Sequence, residues 1–420
     1  MLIEPSCPTD LRTASDDGVA RLKTAAFWAF VCALAGTSFS NSFFEIFSAV
    51  YLCLAAALFV SEKRAELFKS RLAALAVFYL LITLISLWQS HYWDNSLKGV
   101  FRALRCVLMF LFVPLAVDTP KKFKTAFYVT ASVAMLIGLD AFLQAMTGFD
   151  WIRGRPMTAF MSQAGRVTGP FRHANDFSAY LSVMFFLFLG MIPYAFRQKD
   201  VKKEWFFVLG AVVTGICLLW TYARGAWLAV VVAVVLMAFF KKKRFMIFAV
   251  IGCIALVFLF SSPALKHRIR SFGDMKSGTM SERRLLWEES IRMIRERPYL
   301  GFGVNTYSKV EPQFKSKESY TDNQYTHNGY LQIAAETGLI GLGSFLLFLA
   351  YFFKVTHRYL RSGDDAFIPA AISSLLFGLM AFLMHSATDT DLQSLRLVSF
   401  LWLCMGWVIA AKKIMESPGA

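Results

Sequence analysis

The chain has 420 residues, is 57% hydrophobic and 16% aromatic, and contains 42 Phe, values outside the usual soluble range that point to a polytopic membrane protein. Its net charge of +16 is accounted for by the Lys and Arg of cytoplasmic loops together with an anionic ligand, so no nucleic-acid partner is called for. The seven cysteines lie outside the long polar loop and all but Cys7 sit in apolar stretches, which excludes a disulfide scaffold in that loop, and no spacing fits a zinc site.

The first 20 residues are polar and lack the apolar core of a signal peptide, so the first span is expected to be an uncleaved anchor. Apolar runs long enough to cross ~30 Å of hydrocarbon then recur along the chain. They fall near 22–39, 42–60, 72–89, 98–117, 123–147, 174–196, 204–222, 225–240, 244–262, 329–353, 366–386 and 393–411. The fold class is therefore all-α, with about twelve transmembrane helices. A membrane part over 1–262 holds spans one to nine, a large polar loop over 263–328 precedes the tenth span, and 329–420 holds the last three.

Orientation follows from the basic residues. Lys63, Arg64, Lys69 and Arg71 share one loop, and Lys121, Lys122 and Lys124 share another. Arg197, Lys199, Lys202 and Lys203, then the run Lys241, Lys242, Lys243 and Arg244, follow. Lys354, Arg358 and Arg361, and finally Lys412 and Lys413, complete the set. All fall on one side of a twelve-span arrangement, which places both termini in the cytoplasm. The other side carries two longer polar segments, near 148–173 and 263–328. Within the second, Ser281 is expected to cap a helix that runs to about Arg297 and is stopped by Pro298. Trp287, Ile291 and Ile294 would form its apolar stripe, with Arg292 and Arg295 off it and Arg284 at its edge.

This outer side is rich in arginine. Arg153, Arg155, Arg166 and Arg172 occupy the first polar segment, Arg102 and Arg105 share a face near the outer end of the fourth span, and Arg224 sits in the tight turn between two spans. Charges there oppose the positive-inside trend and need partners. Guanidinium groups bind phosphate through paired donors, so a phosphorylated ligand explains them. Pairing with acids such as Asp140 or Asp150, or snorkelling to lipid headgroups, is the alternative. His327 opens His327-Asn328-Gly329-Tyr330-Leu331-Gln332, where the long polar loop meets a span. It can be a helix-end packing residue or a general base near neutral pH. Glu336 lies about half a helical turn round from His327 and is expected to bond within the bundle instead. Asp389-Thr390-Asp391 has the spacing of a metal-binding pair, although Asp389 orienting a basic partner fits equally well. No Gly-x-Ser-x-Gly elbow, phosphate-binding Gly-Lys-Ser/Thr loop or His-Glu-x-x-His occurs, so hydrolase, nucleotide-driven and zinc-protease chemistry have no motif support.

Taken together, these residues resemble the O-antigen ligase and polymerase superfamily of bacterial envelope glycosyltransferases. The resemblance is carried by His327-Asn328-Gly329-Tyr330-Leu331 with Glu336-Thr337-Gly338-Leu339-Ile340-Gly341, and by Trp287 with Glu296-Arg297-Pro298-Tyr299-Leu300-Gly301-Phe302-Gly303. Arg224-Gly225-Ala226-Trp227 and Arg166-Val167-Thr168-Gly169-Pro170-Phe171 with Asn175 add to it. It implies a GT-C-like glycosyltransferase of the bacterial inner membrane whose active site faces the periplasm and opens to the lipid bilayer. Among its branches the ligase is the nearest match. The lack of a large additional domain points away from the protein O-oligosaccharyltransferases, and the polymerase is the alternative within the superfamily.

The resemblance further implies a donor of O-antigen polysaccharide on undecaprenyl diphosphate, an acceptor hydroxyl on lipid A–core, no cofactor and no metal. It assigns His327 as the base and Arg224 and Arg284 as clamps for the diphosphate, with Arg284 preferred to Arg283 by alignment. Arg102, Arg105, Arg166, Arg172, Asn328 and Asp389 are the expected substrate-binding residues. Direct displacement would invert the anomeric centre. A transporter or flippase of a phosphorylated lipid is the reading from a different class, and would show paired broken spans and charge near the midplane.

Overall fold

A computed structural model describes residues 9–62, 68–157, 165–242, 278–316, 325–362 and 364–417. The expectation of an all-α membrane protein holds. Among the described residues, ten helical stretches are long and apolar enough to cross a membrane, and a shorter apolar helix at Arg224–Phe240 accompanies them. These eleven match the expected spans one for one, while the ninth expected span, 244–262, lies outside the described residues.

In chain order the helices are α1 (Thr9–Phe39), α2 (Asn41–Ser61), α3 (Arg71–Ser86), α4 (Trp93–Ala116) and α5 (Pro120–Thr147). A two-residue β-ladder, β1 (Phe149–Asp150) with β2 (Arg155–Pro156), follows in the first polar segment. Then come α6 (Ala174–Leu189), α7 (Ile192–Gln198), α8 (Val201–Trp220), α9 (Arg224–Phe240), α10 (Gly278–Glu296) and α11 (Tyr307–Val310). The last three are α12 (Gly329–Leu360), α13 (Phe367–His385) and α14 (Leu395–Glu416).

Among the described spans the most enclosed are α13 and α14, each with 83% of its most apolar stretch buried. Helix α14 packs along α4, and α13 packs between α6 and α9. In lipid, apolar burial gives no preference for helix over acyl chain, so close packing must hold the bundle. Aromatic contacts supply part of it: Phe348 and Trp402 stack with ring centroids 4.8 Å apart, and Phe110 meets Trp402 edge-on at 5.8 Å. Gly406 lets α14 lie directly on the α4 backbone, since a Cβ there would come 2.8 Å from the carbonyl oxygen of Phe110.

The charges divide between the two ends as the sequence suggests. Lys23 pairs with Glu62 at 2.5 Å, Lys122 with Asp118 at 2.8 Å, Lys241 with Asp364 at 2.6 Å, and Lys412 with Glu416 at 2.7 Å. Arg197 pairs with Asp365 and Arg358 with Glu416 at this same end. The opposite end carries the described parts of the polar segments and the groups that meet around His327.

Helix α10 corrects two expectations. It begins by Gly278, so Ser281 lies inside it and is not its cap, although it ends at Glu296, one residue short of the expected Arg297. Its buried face is Leu286, Glu289, Ser290 and Met293, whereas Ile291 is 40% exposed. The rotation follows from what the helix docks on. Ser290 Oγ meets Tyr307 Oη at 2.9 Å, and Met293 joins Phe302, Tyr307, Val310 and Ala335 in a small core of its own.

The Glu-Thr-Gly segment also gains a structural reason. Gly338 interrupts α12 with φ 71° and ψ 178°, freeing backbone groups that an unbroken helix would use. The chain after Pro298 fills the gap. Leu339 N donates to the Pro298 carbonyl at 2.7 Å, and Phe302 N and Gly303 N donate to the carbonyls of Ala335 and Glu336 at 3.1 and 2.8 Å. Glu336 completes the joint from inside the bundle: it accepts from Asn305 N at 2.7 Å, Tyr307 N at 3.3 Å and Gln332 Nε2 at 3.0 Å. It does not reach His327, as helix geometry predicts.

Candidate active site

His327 is held by its backbone before its side chain is considered. Its φ is +49°, a left-handed conformation that few residues other than glycine adopt, though His is among the better tolerated. Two tethers fix it. Thr326 Oγ1 accepts from Asn328 N at 2.8 Å, and Gly329 N donates to the carbonyls of Ser386 and Asp389 at 2.8 and 3.1 Å. The segment before α12 is thus bound to the turn between α13 and α14.

The same turn supplies the partner of the imidazole. His327 Nδ1 lies 3.3 Å from Asp389 Oδ1. Asp389 is 4% exposed, so its carboxylate must be compensated by its neighbours. Arg283 Nη2 donates to Oδ2 at 3.1 Å, Asn175 Nδ2 donates to the same oxygen, and Thr390 N donates to Oδ1 at 2.9 Å. Burial alone would raise the Asp389 carboxyl. The hydrogen bond with His327 and the charges of Arg283, His385 and His327 outweigh it and hold the group well below the usual carboxylate range. Asp391 behaves oppositely: burial and the charge of Asp389 push it up, although His385 Nδ1 at 2.8 Å and Ser386 Oγ at 3.1 Å oppose this. Asp389 and Asp391 therefore turn to different partners. Among the described residues, no three His, Cys, Asp or Glu side chains converge where they could hold a metal ion.

An ionised Asp389 accepts the Nδ1 proton, which leaves the lone pair of the neutral ring on Nε2. His327 keeps about a third of its side chain exposed (32%), so Nε2 can reach a substrate proton. The arrangement has the logic of a base oriented by a buried carboxylate.

Four helices begin around the Asp389 turn. Asn175, in the first turn of α6, bonds Asp389 directly, and Gly329, which opens α12, bonds its carbonyl. Helix α14 begins at Leu395, and α9 begins at Arg224 so close that a Cβ on Gly225 would strike Thr388 Oγ1 at 2.1 Å. Each N-terminus adds partial positive charge to that of the arginines. His173, at the cap of α6, is pushed down by burial and by Arg172 beside it, which favours its neutral form.

The arginines expected at the site part company. Arg166 belongs to it: its Nε donates to the Thr221 carbonyl and its Nη2 to Asn175 Oδ1, both at 2.6 Å. Arg224 opens α9 against the Asp389 turn. Arg284 does not fit the expected role. It is 68% exposed and pairs with Glu288 at 3.5 Å, while its neighbour Arg283 enters the site. One residue turns a helix by about 100°, and the docking of α10 selects the other one. Arg102 donates to the Gln393 carbonyl at 3.0 Å and lines a small cavity with Glu336, Asn305, Tyr79 and Trp402, below the His327 turn. Arg105 lies over the Phe44 ring at 5.4 Å, facing α2 and not the site. Arg172 is exposed beside His173. Asn328, expected at the substrate, is the N-cap of α12, its Oδ1 accepting from Tyr330 N and Leu331 N at 3.1 Å each. Asn175 and the His385–Asp391 pair went unpredicted as site residues. The signal for Asn175 was its place after the Arg166 stretch; that for His385 was its spacing to Asp391.

Fold and site together define a multi-pass α-helical membrane protein with a His–Asp pair set in a basic cluster at one end of the bundle. Residues 206–346 match the family described as O-antigen ligase, which bears out the superfamily resemblance drawn from the motifs. Similar proteins include the teichuronic acid biosynthesis protein TuaE of Bacillus subtilis, 24% identical over 270 residues, which are 59% of this chain and 52% of that protein. An uncharacterized protein of Haemophilus influenzae is 26% identical over 275 residues, 59% of this chain and 65% of that one. A ComP-specific O-oligosaccharyltransferase of Acinetobacter baylyi is 22% identical over 280 residues, 63% of this chain and 46% of that one. The matches thus span between about half and two thirds of these relatives' own lengths.

Proposed function

We propose that this protein is a glycosyltransferase that moves O-antigen polysaccharide from undecaprenyl diphosphate to a hydroxyl of lipid A–core, at the periplasmic face of the inner membrane. The observation that carries the reading is the contact of His327 Nδ1 with the buried Asp389, within a ring of arginines and helix N-termini. His327 Nε2 takes the proton of the acceptor hydroxyl, and Asp389 holds the ring in the required tautomer and stabilises the imidazolium that forms. The acceptor oxygen attacks the anomeric carbon as the bond to the diphosphate oxygen breaks, with inversion. Arg224, Arg283 and the helix N-termini stabilise the negative charge on the departing diphosphate. Fixed guanidinium groups suit that task because their donors match phosphate oxygens in pairs.

The family match over 206–346 supports this class of chemistry, and it includes the stretch from α8 through His327 to the Gly338 joint. The likeness to a ComP-specific O-oligosaccharyltransferase brings a protein acceptor beside the lipid one, against the sequence-based preference. A transport path gains nothing from the break in α12, because the chain from Pro298 to Gly303 fills it.

Replacement of His327 by Ala in the native host, with both lipid pools analysed, tests the reading. The ligase predicts lipopolysaccharide without O-chains while full-length polymer stays on the lipid carrier. A polymerase would instead leave core carrying a single repeat unit, and a protein-directed enzyme would leave the lipopolysaccharide unchanged. Normal O-chain attachment together with unchanged protein glycosylation overturns His327 as the base.

A further inference from the structure

Asn175 bridges two charged groups, Arg166 and Asp389. Its Oδ1 accepts from Arg166 Nη2 at 2.6 Å, and its Nδ2 donates to Asp389 Oδ2. The orientation of the amide is forced from both sides, because a guanidinium cannot accept and an ionised carboxylate cannot donate. A carboxamide meets both demands at once. Aspartate would set oxygen against oxygen, and glutamine is one carbon too long for the gap.

We infer that Asn175 is a positioning residue that acts through Asp389 on His327; the inference rests on the reading of His327 as the base. Asn175 holds Asp389 Oδ2 from α6 while Arg283 holds it from α10, and these two anchors aim Oδ1 at His327 Nδ1. Arg166 is itself moored to the Thr221 carbonyl, so the relay Thr221–Arg166–Asn175–Asp389–His327 ties the α8–α9 turn to the imidazole.

The neutrality of Asn175 matters as much as its geometry. It steadies Asp389 without adding a second guanidinium, so the carboxylate keeps its pull on the Nδ1 proton. The groups that face Asp389 are His327 from the segment before α12, Arg283 from α10, Asp176 and His173 from the start of α6, and His385 and Asp391 from its own turn.

The test uses the detergent-purified full chain with Asn175→Asp and Asn175→Ala. The pH dependence of diethyl pyrocarbonate modification of His327 is followed by peptide mass spectrometry over about pH 5–8. Asn175→Asp adds a negative charge beside Asp389 and moves the midpoint to higher pH. Asn175→Ala lowers the transfer turnover about tenfold or more and changes donor KM by less than about twofold, because the ring is misaimed and not the donor. An unmoved midpoint in Asn175→Asp, or native turnover in Asn175→Ala, overturns the inference. The modification midpoint is read without turnover, so it judges the relay even if His327→Ala were to show that another group is the base. A variant that fails to fold is replaced in the argument by the other.

Discussion

Arg283 Nη2 lies 3.1 Å from Asp389 Oδ2, whereas the next residue, Arg284, turns outward to Glu288. The two arginines are adjacent in sequence and opposite in consequence. Arg283→Ala leaves the buried Asp389 without the guanidinium that reaches it from α10, and should lower transfer by about 10²-fold, the order found when a charged stabiliser is lost from a reaction centre. Arg284→Ala removes an exposed ion pair, which contributes little, and should leave transfer within about twofold of native. Rates measured with the two purified variants check this, and a larger loss in Arg284→Ala than in Arg283→Ala would reverse the assignment.

Asp389 gives stability a pH dependence with a definite sign. Its folded-state carboxyl is held below its ordinary value, so its contribution is complete above the ordinary carboxylate range and is lost as the pH falls through the depressed value. Asp389→Asn should therefore be less stable than the native protein at neutral pH, and the gap should narrow as the pH is taken below about 4. Thermal unfolding in detergent across that range reads it. A gap that widened on acidification would contradict the ionised Asp389.

The Gly338 joint predicts a contrast between two glycines of α12. At Gly338 the φ is +71° and an added Cβ would lie 2.0 Å from the Tyr299 carbonyl oxygen, so Gly338→Ala should cost roughly 2–4 kcal/mol from strain and displacement together. Gly343 has nothing within 4 Å of an added Cβ, and Gly343→Ala should be neutral or slightly stabilising. Equal melting temperatures for the two variants would show that the docked 298–303 chain does not depend on the break.

Glu336 is predicted to be structural. Glu336→Gln turns one accepting oxygen into a donor facing the N–H of Asn305 or Tyr307, which should destabilise the fold by about 2 kcal/mol. Protease sensitivity around 298–310 should rise, while the fraction that remains folded transfers sugar at close to the native rate. A rate loss of 10²-fold with unchanged stability would place Glu336 in the chemistry instead.

Much of this was legible in the sequence, for reasons that differ by element. The spans were readable because some twenty apolar residues in a row have few other places to go. Lys241 and Lys412 marked one end of the bundle because positive charge there repeats from loop to loop. His327 and Asp389 stood out as titratable groups at helix ends. What escaped was whatever depends on how one element rotates against another. The buried side of α10 is not legible as an apolar stripe because it includes Glu289 and Ser290, polar residues that meet Ser316 and Tyr307, which are distant in sequence. That same rotation decides Arg283 over Arg284. Asn328 looked like a binding residue, yet an asparagine directly before a helix is also a good cap, and the backbone used it so. Asn175 meets Asp389, 214 residues further along the chain, a pairing that no local pattern encodes.

The central claim is that His327 is the base, and a single-turnover assay of purified His327→Ala protein tests it most directly. With undecaprenyl-diphosphate-linked glycan and lipid A–core supplied together, transfer should fall about 10²–10⁴-fold while donor binding stays within about twofold of native. Transfer by His327→Ala at the native rate would contradict the account.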